Sequence, residues 1–169
     1  MIGVDEPVVR RAARNDCGGM CDIYNAAIAE RGSTFETEPR SAGDFGGRVD
    51  DARFPLLVAA VGGGVVGWAG LASTALVPVT PGSGECSVYV DAAARGRGVG
   101  SALTEALAAA GEDSGFHKMI GKLFPDNVAC LRLVERCGFA PVGLHRRHGR
   151  LDGTWRDVLV VERLLGPAG

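Results

Sequence analysis

A glycine-rich turn between a strand and a helix is the feature of this sequence that most constrains its fold. Residues 85–90 form a short β-branched run typical of a strand, and residues 99–114 carry leucine and alanine at helical spacing. Gly115 closes that helix, and Lys118–Leu123 resumes as a strand. A strand, a helix and a strand in this order predict a βαβ unit, whose two strands run parallel with a right-handed crossover.

Patterns elsewhere in the chain predict the rest of the sheet and its helices. Besides the two strands of the βαβ unit, strands are expected at residues 8–11, 54–61, 65–72, 140–148 and 155–165. Three glycines at 62–64 favour a tight hairpin, and a closing hairpin is expected around 149–153. Further helices are expected from Asp16, as N-cap, to Gly32, then at 41–53 and at 126–137. The fold class is therefore α+β, with a mixed central sheet of about six to seven strands flanked by about four helices in a single domain, 1–169.

Charge and cysteine usage argue against several classes of protein. A formal net charge of −2 gives no overall positive field of the kind that attracts nucleic acid or an anionic membrane surface. No apolar run approaches the ~20 residues that a membrane-spanning helix needs. The five cysteines are an odd number and lie mostly in apolar segments, which favours free thiols in a cytoplasmic protein. The three histidines show no metal-ligand spacing, so no metal is expected.

The glycine-rich turn has the properties of a pyrophosphate site. Its glycines let the backbone approach a ligand closely, and the first turn of the following helix presents unpaired N–H groups and the positive end of the helix dipole. A nucleotide P-loop would end in Gly-Lys-Ser/Thr, and a dinucleotide fingerprint has a different glycine spacing, so neither fits. Taken alone, the turn is equally compatible with two solvated arginines. The candidate residues are Arg95, Gly96, Arg97, Gly98, Val99, Gly100 and Ser101.

Two ordered motifs resemble those of the GNAT N-acetyltransferase superfamily. Arg95, Gly98 and Gly100 match its acetyl-CoA-binding motif, and a later pattern is matched by Asn127, Ala129, Leu133, Glu135, Gly138 and Phe139. More narrowly, the chain is similar to the phosphinothricin acetyltransferase branch from about residue 8 to 165. The most specific stretches are Thr-Phe-Glu-Thr-Glu-Pro at 34–39 and Glu-Cys-Ser-Val-Tyr-Val at 85–90. The resemblance implies a GNAT fold, acetyl-CoA as acetyl donor, a small-molecule amine as acceptor, and a homodimer.

Glu85 is the catalytic residue that the resemblance implies, as general base. The chemistry requires such a group because an ammonium has no lone pair, so a carboxylate must take its proton, directly or through water. The strand period of two places Glu85, Ser87 and Tyr89 on one face and Cys86 on the other, where we expect it in the core. Without the resemblance, a solvated glutamate at the start of a strand is the simpler interpretation.

Further site residues follow from the same resemblance. The backbone of Val88, Tyr89 and Val90 is expected to bind the pantetheine arm and to present an N–H to the thioester oxygen, although these residues would also suit plain sheet core. Asn127 is expected either to hydrogen-bond the pantetheine or to cap its helix. The acceptor-side loop supplies three candidates for substrate binding, Phe35, Thr37 and Glu38.

The sequence departs from the branch in two places. Val134 stands where relatives carry a tyrosine or histidine that protonates the leaving thiolate, so that role has no candidate. Residues 71–80 lack the basic and aromatic segment that holds an anionic substrate in the branch. The expected acceptor is an amino-acid-like amine such as phosphinothricin or methionine sulfoximine. Another small amine, a protein N-terminus, and a non-catalytic acyl-CoA sensor remain open.

Overall fold

The secondary structure is mixed, with strands and helices alternating along much of the chain. A computed structural model describes residues 6–74 and 82–166 of the protein. Its strands are β1 (Val8–Arg11), β2 (Leu56–Val61), β3 (Gly64–Ser73), β4 (Ser83–Val90), β5 (Lys118–Leu123), β6 (Ala140–Leu151) and β7 (Thr154–Leu164). Its α-helices are α1 (Cys17–Glu30), α2 (Gly43–Asp50), α3 (Val99–Asp113) and α4 (Val128–Arg136).

All seven strands belong to one sheet, in the order β1-β2-β3-β4-β5-β7-β6. Every neighbouring pair is antiparallel except β4 and β5, which are parallel and joined through α3. The predicted α+β class and the βαβ unit are therefore confirmed. No helix in the part of the chain that the structure describes is long and apolar enough to cross a bilayer.

Both faces of the sheet are covered, which explains why β2 is an uninterrupted apolar run. On one face, Leu103 and Leu107 of α3 pack without solvent exposure against the sheet. On the other face, Met20 of α1 and Phe45 of α2 pack around Trp68 of β3. Full burial of one such side chain contributes about 1.5–3 kcal/mol. The two layers hold the central strands rigidly and leave loops at the sheet ends to form a site.

The ends of several elements differ from the sequence prediction. The closing hairpin turns at Asp152 and Gly153, both with positive φ, instead of beginning at Gly149, because Gly149 pairs with Arg156 and extends β6. Helix α1 ends before Gly32, because Arg31 adopts the left-handed conformation with φ 57°. Helix α2 is also shorter than predicted.

Asp16 occupies the N-cap position of α1, yet its side chain does not cap that helix. Its carboxylate accepts a hydrogen bond of 2.8 Å from the N–H of Ala13 and two from the guanidinium of Arg10, at 2.7 and 2.9 Å. The predicted cap is therefore wrong in its partner, because the guanidinium of Arg10 competes successfully for the buried carboxylate.

Strands β4 and β5 separate along their length. Their parallel pairing covers only three residue pairs and ends where Glu85 faces Ile120. Beyond that point β4 continues to pair with β3, and β5 continues to pair with β7, so neither strand bends back to the other. The result is a cleft between residues 86–90 of β4 and residues 121–123 of β5.

Candidate active site

The cleft opens into a cavity of about 480 Å³, here called the cleft cavity. Its walls come from β4, β5, helix α4, the loop that follows α1, and the closing hairpin. Several residues singled out in the sequence line it, namely Phe35, Glu85, Val88, Tyr89, Asn127 and Val134. Tyr24 of α1 and Thr104 of α3 complete the walls, so residues from well-separated segments of the chain meet in one space.

The backbone of Val88 faces the cleft. The N–H of Asp91 donates to the carbonyl of Val66 at 2.9 Å, and hydrogen-bonded pairs alternate along an antiparallel ladder. By that alternation the N–H and C=O groups of Val88 and Val90 point away from β3, toward the cleft, where β5 no longer pairs with them. The same alternation directs the backbone of Tyr89 toward β3, so Tyr89 can contribute to the cavity only through its ring.

Glu85 lies where the cleft begins, and its half-buried carboxylate lines the cavity. Its Oε2 accepts a hydrogen bond of 2.7 Å from the ammonium of Lys122 on β5. No described residue donates to Oε1. The carboxylate therefore keeps one oxygen available to accept a proton from an amine, while Lys122 fixes its orientation.

The loop after α1 lies over the cavity, but the loop residues that line the cavity differ from those expected. Phe35 packs edge-to-face on Phe124, with ring centroids 5.0 Å apart, and lines the cavity together with Glu36. Thr37 and Glu38 do not belong to its walls. Of the three substrate-binding candidates, only Phe35 is brought to the site.

The glycine-rich turn fits a pyrophosphate. Gly96 and Gly98 have φ angles of 75° and 84°, a region that side chains disfavour, and Gly98 directly precedes α3. The first intrahelical bond of α3 runs from the N–H of Ala102 to the carbonyl of Gly98, at 3.0 Å. The preceding N–H groups, those of Val99, Gly100 and Ser101, have no helical partner and form the anion-binding end of the helix.

The two arginines of the turn are used differently. Arg95 donates from Nε to the carbonyl of Val90 at 3.1 Å and pairs through Nη2 with Glu30 at 3.0 Å. Arg97 is exposed and makes no ion pair within the described ranges, 6–74 and 82–166. Arg95 therefore anchors the turn to β4 and α1, and Arg97 is the more available cation.

Asn127 caps α4, which is one of the two roles predicted for it. Its Oδ1 accepts from the N–H of Cys130 at 3.0 Å, and its Nδ2 donates to the carbonyl of Gly32 at 3.0 Å. The side chain thus ties the start of α4 to the loop that follows α1. A contact with pantetheine stays a prediction.

Burial disfavours the thiolate form of the two cysteines that line the cavity. Burial raises the pKa of the Cys86 thiol to about 12, and the side chain packs against the core beneath α3. This confirms the core placement expected from the strand period. Burial also raises the pKa of Cys130, one turn before Val134 on α4. Because thiolates are the reactive form, neither residue suits covalent catalysis at neutral pH.

Sequence reasoning missed two residues of the site, Lys122 and Glu36. Lys122 could have been found from the parallel register, because it lies two residues beyond the partner of Glu85 on β5. Glu36 pairs with both guanidinium nitrogens of Arg40, at 2.6 and 2.9 Å, and these hydrogen bonds lower the pKa of its carboxyl. No local pattern distinguishes Glu36 from the neighbouring Glu38.

Comparisons with known proteins agree with this geometry. A model described as acetyltransferase (GNAT) family matches residues 20–139. The chain is 34% identical to the phosphinothricin N-acetyltransferase of Streptomyces coelicolor, over 98% of this chain and 100% of that protein. It is 30% identical to the L-methionine sulfoximine/L-methionine sulfone acetyltransferase of Pseudomonas aeruginosa, over 94% and 95% of the two chains. The structure of a GNAT superfamily phosphinothricin acetyltransferase from Sinorhizobium meliloti in complex with AcCoA superposes with a TM-score of 0.88 at 27% identity, covering 95% and 89%.

Proposed function

Because the chain belongs to the acetyltransferase (GNAT) family, we propose that it acetylates the primary amine of a small amino-acid-like acceptor, of the phosphinothricin or methionine sulfoximine type. The acetyl donor is acetyl-CoA. The observation that carries the proposal is the cleft, along which the carboxylate of Glu85, the free backbone of Val88 and the glycine-rich turn follow one another.

Each part of the donor has residues suited to it. The N–H groups at the start of α3, with Arg97, would hold the pyrophosphate. The cleft-facing N–H and C=O groups of Val88 and the N–H of Val90 would pair with the pantetheine amides as an added strand would. The carbonyl of Val90 already accepts from Arg95. Asn127 at the start of α4 is a further polar group along this path.

The proposed reaction is direct transfer without an acyl-enzyme. Glu85 accepts a proton from the acceptor ammonium, and the amine nitrogen forms a bond to the thioester carbon. The N–H of Val88 stabilises the negative charge on the thioester oxygen. The carbon–sulfur bond then breaks, and the leaving sulfur takes a proton from water, since Val134 has none to give. The hydroxide left behind takes the second proton of the attacking nitrogen, so that an amide, a thiol and water remain. High pKa values of the cavity thiols support this path over a covalent one.

The test is thiol release from acetyl-CoA with phosphinothricin, methionine sulfoximine, polyamines and alanine- or serine-ended peptides offered separately. We expect release with the two amino-acid analogues. Release with peptides alone would indicate a protein N-terminus as acceptor. Binding of acetyl-CoA without release from any amine would indicate a sensor.

Glu85→Gln tests the general base. We expect kcat to fall about 10²–10⁴-fold, because the amide cannot accept the proton. The matched control is Glu162→Gln, which breaks a similar ion pair with Lys118, at 2.8 Å, outside the cavity walls. Glu162 does not line the cavity, so the control should turn over like the wild type. Equal rates for the wild type and Glu85→Gln would remove Glu85 from the mechanism.

We also propose that the enzyme is a cytoplasmic homodimer. Exposed apolar side chains on the closing hairpin, Val142, Leu144 and Trp155, support an interface there. The five cysteines are all free, which supports a reducing compartment.

A further inference from the structure

A second cavity, of about 180 Å³, lies beneath α1 and α2 on the Glu85 face of β4; we call it the α2 cavity. It shares four wall residues with the cleft cavity: Tyr24, Glu36, Ser87 and Tyr89. The two spaces therefore adjoin across the face of β4 that carries Glu85. A molecule with its amine at Glu85 can extend into the α2 cavity.

One cation of the α2 cavity has no anionic partner in the part of the chain that the structure describes. Arg40 is neutralised by Glu36, and the carboxylate of Asp44 is held by the N–H and hydroxyl of Ser41. The half-buried guanidinium of Arg48 lies 5.4 Å from the centroid of the Trp68 ring. No oxygen within residues 6–74 or 82–166 accepts a hydrogen bond from it.

An unpaired guanidinium in a cavity is costly, because arginine remains charged and carries five N–H donors. Charged groups away from water are normally paired. The stacking on Trp68 satisfies one face of the guanidinium but none of its donors. The indole N–H of Trp68 is likewise buried with no acceptor in the described part of the chain. Two donor groups beside the α2 cavity, those of Arg48 and Trp68, thus lack acceptors within the described residues.

Gly70 fixes where the guanidinium lies. A Cβ atom on Gly70 would come within 2.8 Å of Arg48 Nη2, so the absence of a side chain on β3 leaves the room that Arg48 uses. Gly70 faces Ser87 across the ladder, and Ser87 is two residues from Glu85 on the same face. Two residues of a strand advance about 7 Å. The guanidinium is therefore within one small molecule's length of the proposed base.

We propose that Arg48 binds the carboxylate of the acceptor and so directs its amine to Glu85. The proposal rests on the proposed function and adds an α-carboxylate to the required features of the substrate. An α-amino acid carries both groups on one carbon, and a hydrogen bond of about 2.9 Å at each end lets it span this gap. Residues 71–80 contain no arginine or lysine. Arg48 supplies the positive charge that this segment lacks.

The test compares the binding of L-methionine sulfoximine and its α-carboxamide, by calorimetry, to the protein saturated with CoA. Wild type should bind the carboxylate at least about tenfold more tightly, since hydrogen bonds between charged groups are the strong ones. Arg48→Met should weaken carboxylate binding at least about tenfold and leave carboxamide binding unchanged. Arg48→Lys should bind the carboxylate with an affinity between those of the wild type and Arg48→Met, because a lysine keeps the charge but not the planar guanidinium.

Arg53→Met is the matched control. Arg53 also stacks on an aromatic ring, that of Phe54 at 5.5 Å, but it is exposed and paired with Asp51. It should bind both ligands like the wild type. Melting temperatures of all variants identify any loss of fold.

The inference is overturned if Arg48→Met binds both ligands like the wild type, or weakens both equally, which would indicate a packing role on Trp68. It is also overturned if the wild type does not prefer the carboxylate. The proposed function fails separately: carboxylate binding through Arg48 without thiol release would keep the inference and reject the enzyme. Thiol release at the wild-type rate from Arg48→Met would keep the proposed function and reject the inference.

Discussion

Asp16 illustrates at the scale of one residue how the fold stabilises itself beside the site. It is buried at 4% exposure, and the hydrogen bonds from Arg10, more than that from Ala13, lower the pKa of its carboxyl. The pair joins β1 to the start of α1, the helix that leads into the loop over the cleft cavity. A carboxyl whose pKa is lower in the folded state than in the unfolded state stabilises the fold only while it is ionised.

Asp16→Asn should lower the free energy of unfolding at pH 7 by about 2 kcal/mol, the range for hydrogen bonds to charged groups. The contribution is complete above the unfolded pKa of about 3.9 and is lost as pH falls through the lower folded pKa. The difference in the free energy of unfolding between wild type and variant should therefore become smaller below about pH 4. Urea unfolding at several pH values measures it.

Asp22→Asn is the control for this prediction. Asp22 is exposed on α1 and forms no ion pair within the described residues. The control should leave stability almost unchanged at every pH. A difference in the free energy of unfolding between the wild type and Asp16→Asn that stays constant down to pH 3 would contradict this pH dependence.

At the scale of the element, the turn before α3 is shaped by backbone conformation more than by side chains. Gly98 holds φ at 84° and sets the direction in which the first N–H groups of α3 point. A Cβ atom at this φ is strained, although no neighbouring atom lies within 4 Å to clash with it. The strain acts on the proposed pyrophosphate site and leaves the acceptor side untouched.

Gly98→Ala should therefore raise KM for acetyl-CoA while KM for the acceptor stays the same. The strain of a left-handed alanine is about 1–2 kcal/mol, which corresponds to roughly a five- to thirtyfold change. Steady-state kinetics with each substrate varied in turn measures the two constants.

Gly47→Ala is the control, because Gly47 lies inside α2 with ordinary φ and open space around it. An alanine there should stabilise the helix by about 0.5–1 kcal/mol and leave both KM values alone. Equal rises in the two KM values for Gly98→Ala would mean that the turn supports the whole site.

At the scale of the whole molecule, exposed apolar side chains lie at both edges of the sheet, and a further one, Val128, lies at the start of α4. Trp155 begins β7 on the closing hairpin, where it is 49% exposed and stacks on Arg150 at 4.8 Å. Val8 on β1, at the opposite edge, is 64% exposed. Among the described residues, only the hairpin end carries several such residues close together in the chain, which is why we propose it as the dimer interface.

The wild type should have twice the mass of one chain by size-exclusion chromatography with light scattering. Trp155→Asp should shift it to the monomer, because a buried carboxylate would oppose the interface. Val8→Asp, at the far edge of the sheet, should remain a dimer. A wild-type protein of single-chain mass would reject the homodimer.

Local patterns predicted the order and type of the elements correctly. The strand β5, the hairpin at Gly62 and Gly63, and the cap at Asn127 all follow from residues within a few positions of one another. The ends of α1 and β6 were misplaced because distant partners decide them. Arg31 ends α1 with its side chain bonded to Asp152, 121 positions away in the chain.

The sequence by itself determined the fold class, the glycine-rich turn and the position of Glu85, because each depends on short-range periodicity and backbone conformation. Only the tertiary structure decided that β4 and β5 separate after Glu85, that Lys122 holds that carboxylate, and that Arg48 lines a cavity in which no described carboxylate pairs with it. These features arise where segments far apart in the chain meet. A single sequence gives the residues of these segments but not which of them contact one another.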